Sequence, residues 1–205
     1  MSAEAAREQR AAVIAAMQKL LDKRLAEALA REAAGKAGGK AGERAAADVR
    51  VLGNGIDSVF FDASLVTPEP RMRAVPGPRL IFTGQMDYAP NVDAVVRVTQ
   101  RIMPLVRQTC PQASFHIVGR RPTEDVTALH GVNGTHVWGR VDDVRTWLKA
   151  ADMALVPLEI ARGVQNKVLE AMAMSLPVVL SRCAATGIEA VDGHHYVVAE
   201  SDAAL

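Results

Sequence analysis

Two hydrophobic periodicities divide the chain. Val13, Met17, Leu20, Leu21, Leu25 and Leu29 recur at helical spacing with charges on the opposite face, which predicts an amphipathic helix over about residues 3–34. The run Gly35 to Gly42, G-K-A-G-G-K-A-G, ends it and reads as a flexible basic linker. From residue 48 the period changes to short, nearly continuous apolar runs separated by single helical segments. Asp48 to Leu52, Leu80 to Thr83, Ser114 to Val118, Thr135 to Trp138, Met153 to Val156, Val178 to Leu180 and Tyr196 to Val198 read as strands. Between the second and third, Asn91 to Gln108 is amphipathic, with Val92, Val95, Val96, Val98, Ile102 and Leu105 on one face. Apolar strands alternating with helices require a parallel sheet covered on both faces. Right-handed crossovers then bring every strand-to-helix loop to one edge. The expected fold is therefore α/β: residues 1–47 form an Ala-rich helix and linker, and residues 48–205 a Rossmann-like domain.

Composition narrows the classes of partner. Residues 1–47 hold 17 alanines, nine Lys or Arg and six Asp or Glu, whereas the whole chain carries a net charge of +1. So balanced a charge gives no general reason to bind nucleic acid. The first helix reads as a docking or solvated helix, with binding to a membrane surface or a partner as the alternative. Glu4, Arg7, Glu8 and Arg10 interrupt any signal-peptide core, and no apolar run approaches the roughly 18 residues a membrane span needs. Cys110 and Cys183 are far apart and fit neither metal nor redox spacing, as suits a reducing cytoplasm.

The chemistry is expected at the strand ends. Gly84, Gly119 and Gly139 each follow an apolar strand, where glycine lets a ligand approach the backbone. The G-N-G-I-D-S at 53–58 lacks the third glycine of a dinucleotide fingerprint and the helix start that should follow it. The segment Arg162 to Pro177, R-G-V-Q-N-K-V-L-E-A-M-A-M-S-L-P, is more telling. Read as a helix starting at Gly163, it offers the backbone N–H groups of Gly163 and Val164 to phosphate oxygens. Lys167 adds a charge-assisted contact, and Glu170, three residues on, presents a carboxylate to paired ribose hydroxyls. The plainer reading is a surface Lys–Glu pair on a helix whose Val168, Leu169, Met172 and Met174 are core. Elsewhere, Asp142 and Asp143 read as helix caps, His116 as a hydrogen-bonded strand residue, and Trp138 and Trp147 as core or cleft wall. His194 and His195 are adjacent and cannot share a strand face.

Six pieces occur in one order: V-L-G-N-G-I-D at 51–57, L-I-F-T-G at 80–84, F-H-I-V-G at 115–119, V-W-G-R-V-D-D at 137–143, W-L-K-A-A-D-M-A-L-V-P-L at 147–158 and N-K-V-L-E-A-M-A-M-S-L-P-V-V at 166–179. Together they resemble the carboxyl-terminal donor domain of two-domain, family 4 (group 1) GT-B glycosyltransferases. Y-A-P-N at 88–91 and A-R-G-V-Q-N-K-V-L-E at 161–170 look most like exosortase-associated sugar transferases of exopolysaccharide clusters. The resemblance implies transfer, with retention, from a UDP- or GDP-linked sugar, without a separate cofactor or metal. It places Glu170 on the donor ribose, Gly163 and Val164 at the diphosphate, Arg140 and Val141 around the base, Gly84 and Gly119 as cleft glycines, and Asn166 among the donor-binding residues. Arg162 stands where the family has the first acid of E-x7-E, with Glu159 three residues out of register. Gln85 and Asn91 stand where many members carry Arg and Lys. Arg162 and Lys167 are accordingly expected to neutralise the diphosphate, and with Glu170 they form the catalytic candidates. Ser175 replaces the usual helix-ending glycine.

The resemblance also implies an acceptor-binding domain or partner chain that these residues do not supply, with possible peripheral membrane association of the whole enzyme. Two other readings stay open: a non-catalytic nucleotide-binding or interaction module, and, more distantly, a sugar-nucleotide epimerase.

Overall fold

The computed structural model describes residues 55–205; the expected helix over 3–34, the linker and the strand at Asp48 to Leu52 lie outside them. Among the described residues six parallel strands form one sheet: β1 Arg79–Thr83, β2 Ser114–Val118, β3 Thr135–Gly139, β4 Met153–Val156, β5 Val178–Leu180 and β6 Val197–Val198. Their order is β3-β2-β1-β4-β5-β6. The chain steps outward from β1 to β3, then returns to place β4 on the other side of β1. The strands that flank this reversal part company at their carboxyl ends, which opens a crevice there. Register runs Leu80↔Phe115 and Ile81↔His116 on one side of β1, and Leu80↔Met153 on the other.

The strands form where the sequence places β-branched and aromatic residues in unbroken runs. Leu80, Ile81 and Phe82 of β1 and all five residues of β2 are buried. The largest fully buried side chains include Trp147, Phe82, Phe115, Ile117 and Leu155. Burial of this kind supplies the driving force for the fold. Helices α1 Pro70–Arg73, α2 Ala89–Arg97, α3 Met103–Thr109, α4 Glu124–Thr127, α5 Val144–Ala150 and α6 Asn166–Ala173 connect or cover the strands. Asp143 caps α5 by accepting the Arg145 N–H at 2.9 Å. Among the described residues no helix is long and apolar enough to cross a membrane.

Two helices differ from the sequence expectation. The single helix expected from Asn91 to Gln108 is divided, with a π-helical turn at Val98–Ile102 between α2 and α3. Pro104 is the cause we assign: it has no N–H to donate, and its ring crowds the carbonyl one turn earlier. The Met103 N–H bonds the Val98 carbonyl instead. The helix expected to start at Gly163 begins at Asn166, with Gln165 as its N-cap. Gly163 sits at φ 71°, a left-handed conformation that helix cannot include.

Buried polar groups on β2 are satisfied by one directed relay. Trp138 Nε1–H donates to His116 Nδ1 at 3.0 Å. The tautomer this selects carries its proton on Nε2 and donates to Ser114 Oγ at 2.9 Å. Ser114 Oγ donates in turn to the Pro76 carbonyl at 2.7 Å. Burial, with the like charge of His136 and of Arg79 adding to it, pushes His116 down to about 3. The imidazole is neutral throughout the physiological range and serves to tie β3 to β2.

At the end of α6 the Ser175 N–H bonds the Met172 carbonyl at 2.9 Å, and the Leu176 N–H bonds the Ala171 carbonyl at 3.0 Å. This paired closure needs a left-handed residue between them, and Ser175 supplies it at φ 57°. A Ser175→Gly variant should gain about 1 kcal/mol by relieving that conformation, measured as a higher midpoint in urea. The opposite response is expected at the β1–β2 ends, where a Cβ on Gly119 would lie 1.7 Å from the Gly84 carbonyl oxygen. Gly119→Ala should cost about 3 kcal/mol, because the obstruction is backbone and the strand ends must separate. A calorimetric melting point equal to the parent's would contradict this.

Candidate functional site

The crevice at the carboxyl edge is a cleft of about 1,120 Å³, large enough for a nucleotide and a sugar. Its walls come from the ends of β1, β2 and β3 and the start of α6. Of the residues singled out from sequence, Gly84, Gly119, Arg140, Val141, Val164, Asn166, Lys167 and Glu170 all line it. Arg162 and Gly163 do not; both are exposed on the loop after β4. The turn that precedes α6 carries them outside the lining, while Val164 and Gln165 bring the chain back to it. Glu159, the acid three residues from Arg162, has its carboxylate 3.3 Å from the Arg97 guanidinium.

Lys167 is the most constrained charge in the cleft. Its Nζ donates to Asn91 Oδ1 at 2.5 Å and lies 4.1 Å from the centre of the Phe82 ring. Desolvation pushes its pKa down to about 7, against a smaller upward pull from Glu170. The Glu170 carboxyl is pushed up by burial, with Lys167 opposing. Each group thus sits nearer its neutral form than a surface residue would, since removal from water penalises the charged state. Opposed shifts on adjacent groups in a cleft make Lys167 and Glu170 candidates for a functional role. The close approach of Asn91 and Lys167 to β1 also depends on Gly84. A Cβ there would lie 2.8 Å from Asn91 Nδ2 and 3.2 Å from Lys167 Nζ.

Reasoning from sequence missed the arginines that follow β2. Arg120 and Arg121 both line the cleft, so the described wall has four cationic side chains, with Arg140 and Lys167, against the carboxylate of Glu170. Arg120 Nη2 and Nε donate to Gln85 Oε1 at 2.7 and 3.2 Å. Arg121 stands at φ 56°, and its Nη1 lies 3.5 Å from Asp87 Oδ2. The signal was legible: two basic residues directly after the strand-ending Gly119. Tyr88, half exposed at the start of α2, completes this side. A smaller recess of about 150 Å³ adjoins the cleft through Asn166 and Glu170, with Gly55, Ile56, Asp57 and Phe61 on its far side.

Comparisons with known proteins agree with this architecture. The family model for glycosyl transferases group 1 matches residues 77–205. A phosphatidyl-myo-inositol mannosyltransferase of Propionibacterium freudenreichii subsp. shermanii is 29% identical over 161 residues, covering 75% of this chain and 39% of that protein. Among solved structures, a glycosyltransferase from Rickettsia africae superposes with TM-score 0.53 at 15% identity, over 73% of this chain and 43% of its own. Anabaena Alr3699/HepE, in complex with UDP and glucose, gives TM-score 0.50 at 14% identity, over 69% and 41%. The chain therefore spans about two fifths of the length of these relatives. With a family match that takes in the strands, the cleft and α6 alike, the chain belongs to the group 1 glycosyl transferases.

Proposed function

We propose that residues 55–205 form the donor lobe of a retaining sugar transferase, holding a UDP- or GDP-linked sugar in the cleft. The observation that carries this reading is Glu170 and Lys167 one turn apart on α6, facing a cleft whose other walls bring Arg120, Arg121 and Arg140. The solved relative bound to UDP and glucose supports it by fold. A nucleoside diphosphate combines a doubly hydroxylated ribose with a polyanion. Glu170 accepts from the ribose hydroxyls, and Lys167 with Arg120 neutralises the phosphates; Arg140 and Val141 flank the base. Gly163 and Arg162 lie outside this arrangement, so backbone donation at the phosphates falls to Val164 and the residues after it.

In transfer, the bond from the anomeric carbon to the β-phosphate oxygen breaks, and its electron pair leaves with the nucleoside diphosphate. The acceptor hydroxyl oxygen forms the new bond to that carbon, and its proton passes to the departing phosphate oxygen. Cations held beside the departing phosphate stabilise the charge that grows there, the larger part of what such a lobe contributes. Orientation of the acceptor falls to a further lobe or partner chain. The product we assign is a cytoplasmic exopolysaccharide or glycoconjugate precursor.

The test is calorimetric titration of the 205-residue chain with UDP and GDP and with their 2′,3′-dideoxy analogues. The parent protein should bind one ribonucleotide about tenfold more tightly than its dideoxy form, the worth of a hydrogen-bonded charged acceptor. Glu170→Ala should bind both forms equally and at the weaker level. A parent that does not distinguish the two would remove Glu170 from the ribose.

A further inference from the structure

The two best-placed cations of the cleft share an unusual support. Gln85 and Asn91 are uncharged, they flank the start of α2, and each spends its side-chain oxygen on a cation from a different element. Gln85 Oε1 receives both Nε and Nη2 of Arg120, which follows β2. Asn91 Oδ1 receives Nζ of Lys167, on α6. The two supports are themselves joined, because Asn91 Nδ2 donates to the Gln85 carbonyl at 2.9 Å. That bond fixes which way the buried Asn91 amide points, so its oxygen has no choice but to face Lys167. The result is one continuous chain, Arg120–Gln85–Asn91–Lys167, running across the crevice from the end of β2 to the first turn of α6. All four residues line the same cleft.

We infer that Gln85 and Asn91 are positioning residues for the donor diphosphate: they hold Arg120 and Lys167 as a pre-set pair of cations, brought from separate elements to one polyanion. This rests on the donor-site reading above and adds to it the means by which the phosphates are met. A guanidinium on a free arginine loses considerable side-chain freedom when it binds. One already held at two nitrogens has lost much of it beforehand, so the support raises affinity without touching the ligand. Gln85 leaves the remaining guanidinium nitrogen, Nη1, to the ligand. Asn91 takes one of the three ammonium protons of Lys167 and leaves two.

A residue that acts only through another has no effect once that other is gone. Two double-substitution cycles on the full chain, titrated with UDP and with GDP, apply this. Gln85→Ala should weaken binding about fivefold and Arg120→Ala about thirtyfold, with the double variant no weaker than Arg120→Ala alone. Asn91→Ala and Lys167→Met should behave in the same way. Gln85→Asn, which keeps the carbonyl group on a shorter arm, should recover part of the loss. Asn91 is buried and its variant must be shown to melt cooperatively; if it does not, the Gln85 cycle, at a half-buried position, carries the test alone. Losses that multiply in the double variants, or no loss on Gln85→Ala, would overturn the positioning role while leaving the donor site intact. A parent chain that binds neither nucleotide would overturn the donor site itself, and the positioning role with it.

Discussion

A single desolvated ammonium group governs the arrangement of the carboxyl edge. Lys167 sits on the first turn of α6, recessed between Phe82 and Asn91, where water no longer compensates its charge. Three features accommodate it. The ring face of Phe82 offers a weak electrostatic attraction, Asn91 a single acceptor, and Gly84 the space that any side chain would fill. Glu170 completes the balance from one turn further along. None of these neutralises the lysine fully, and under the proposed donor-site reading that shortfall favours a polyanion. In that reading a diphosphate supplies the remaining counter-charge.

The sheet topology explains why such a group is found here. Because the order reverses between β1 and β4, the loops after β1 and β2 diverge from the one after β4, and α6 enters the gap with its N-terminal turn foremost. Gly119 then lets the β2 end lie against the Gly84 carbonyl. This draws the two loops together and brings Arg120 within reach of Gln85. The directed relay from Trp138 through His116 to Ser114 holds β3 beside them, and with it the loop that carries Arg140 and Val141. The proposed transfer would benefit from such fixed placement, since charge stabilisation works best from groups that do not have to reorganise.

Much of this was legible in the sequence because apolar runs and glycines report backbone geometry directly. Ser114 to Val118, Met153 to Val156 and Val178 to Leu180 form strands over the expected bounds, since a strand buried on both faces leaves an unbroken apolar signature. What the pattern did not reveal had particular causes. Pro104 interrupts a helix whose apolar periodicity continues through it, so periodicity alone overlooked the π turn. Gly163 looked like a helix start because glycine precedes many anion sites, but its left-handed conformation defers the helix to Asn166. The partnerships of Gln85 with Arg120 and of Asn91 with Lys167 join positions 35 and 76 residues apart. An amide in sequence carries no mark of which cation it will hold. Arg162 illustrates the converse: a charge at a position aligned with function need not face the site.

The central claim is that Lys167, recessed between Asn91 and Phe82, holds its proton less firmly than a surface lysine and holds it more firmly once a diphosphate is bound. Its ε-carbon shift can be followed by NMR from about pH 6 to pH 11, with the signal assigned by its loss in Lys167→Met, in the empty protein and again with saturating UDP or GDP. The account predicts a midpoint of about 7 without ligand and a clear rise when the diphosphate is bound, because an adjacent anion favours the protonated form. A midpoint near the ordinary lysine value of about 10.4 in the empty protein, unmoved by nucleotide, would contradict it.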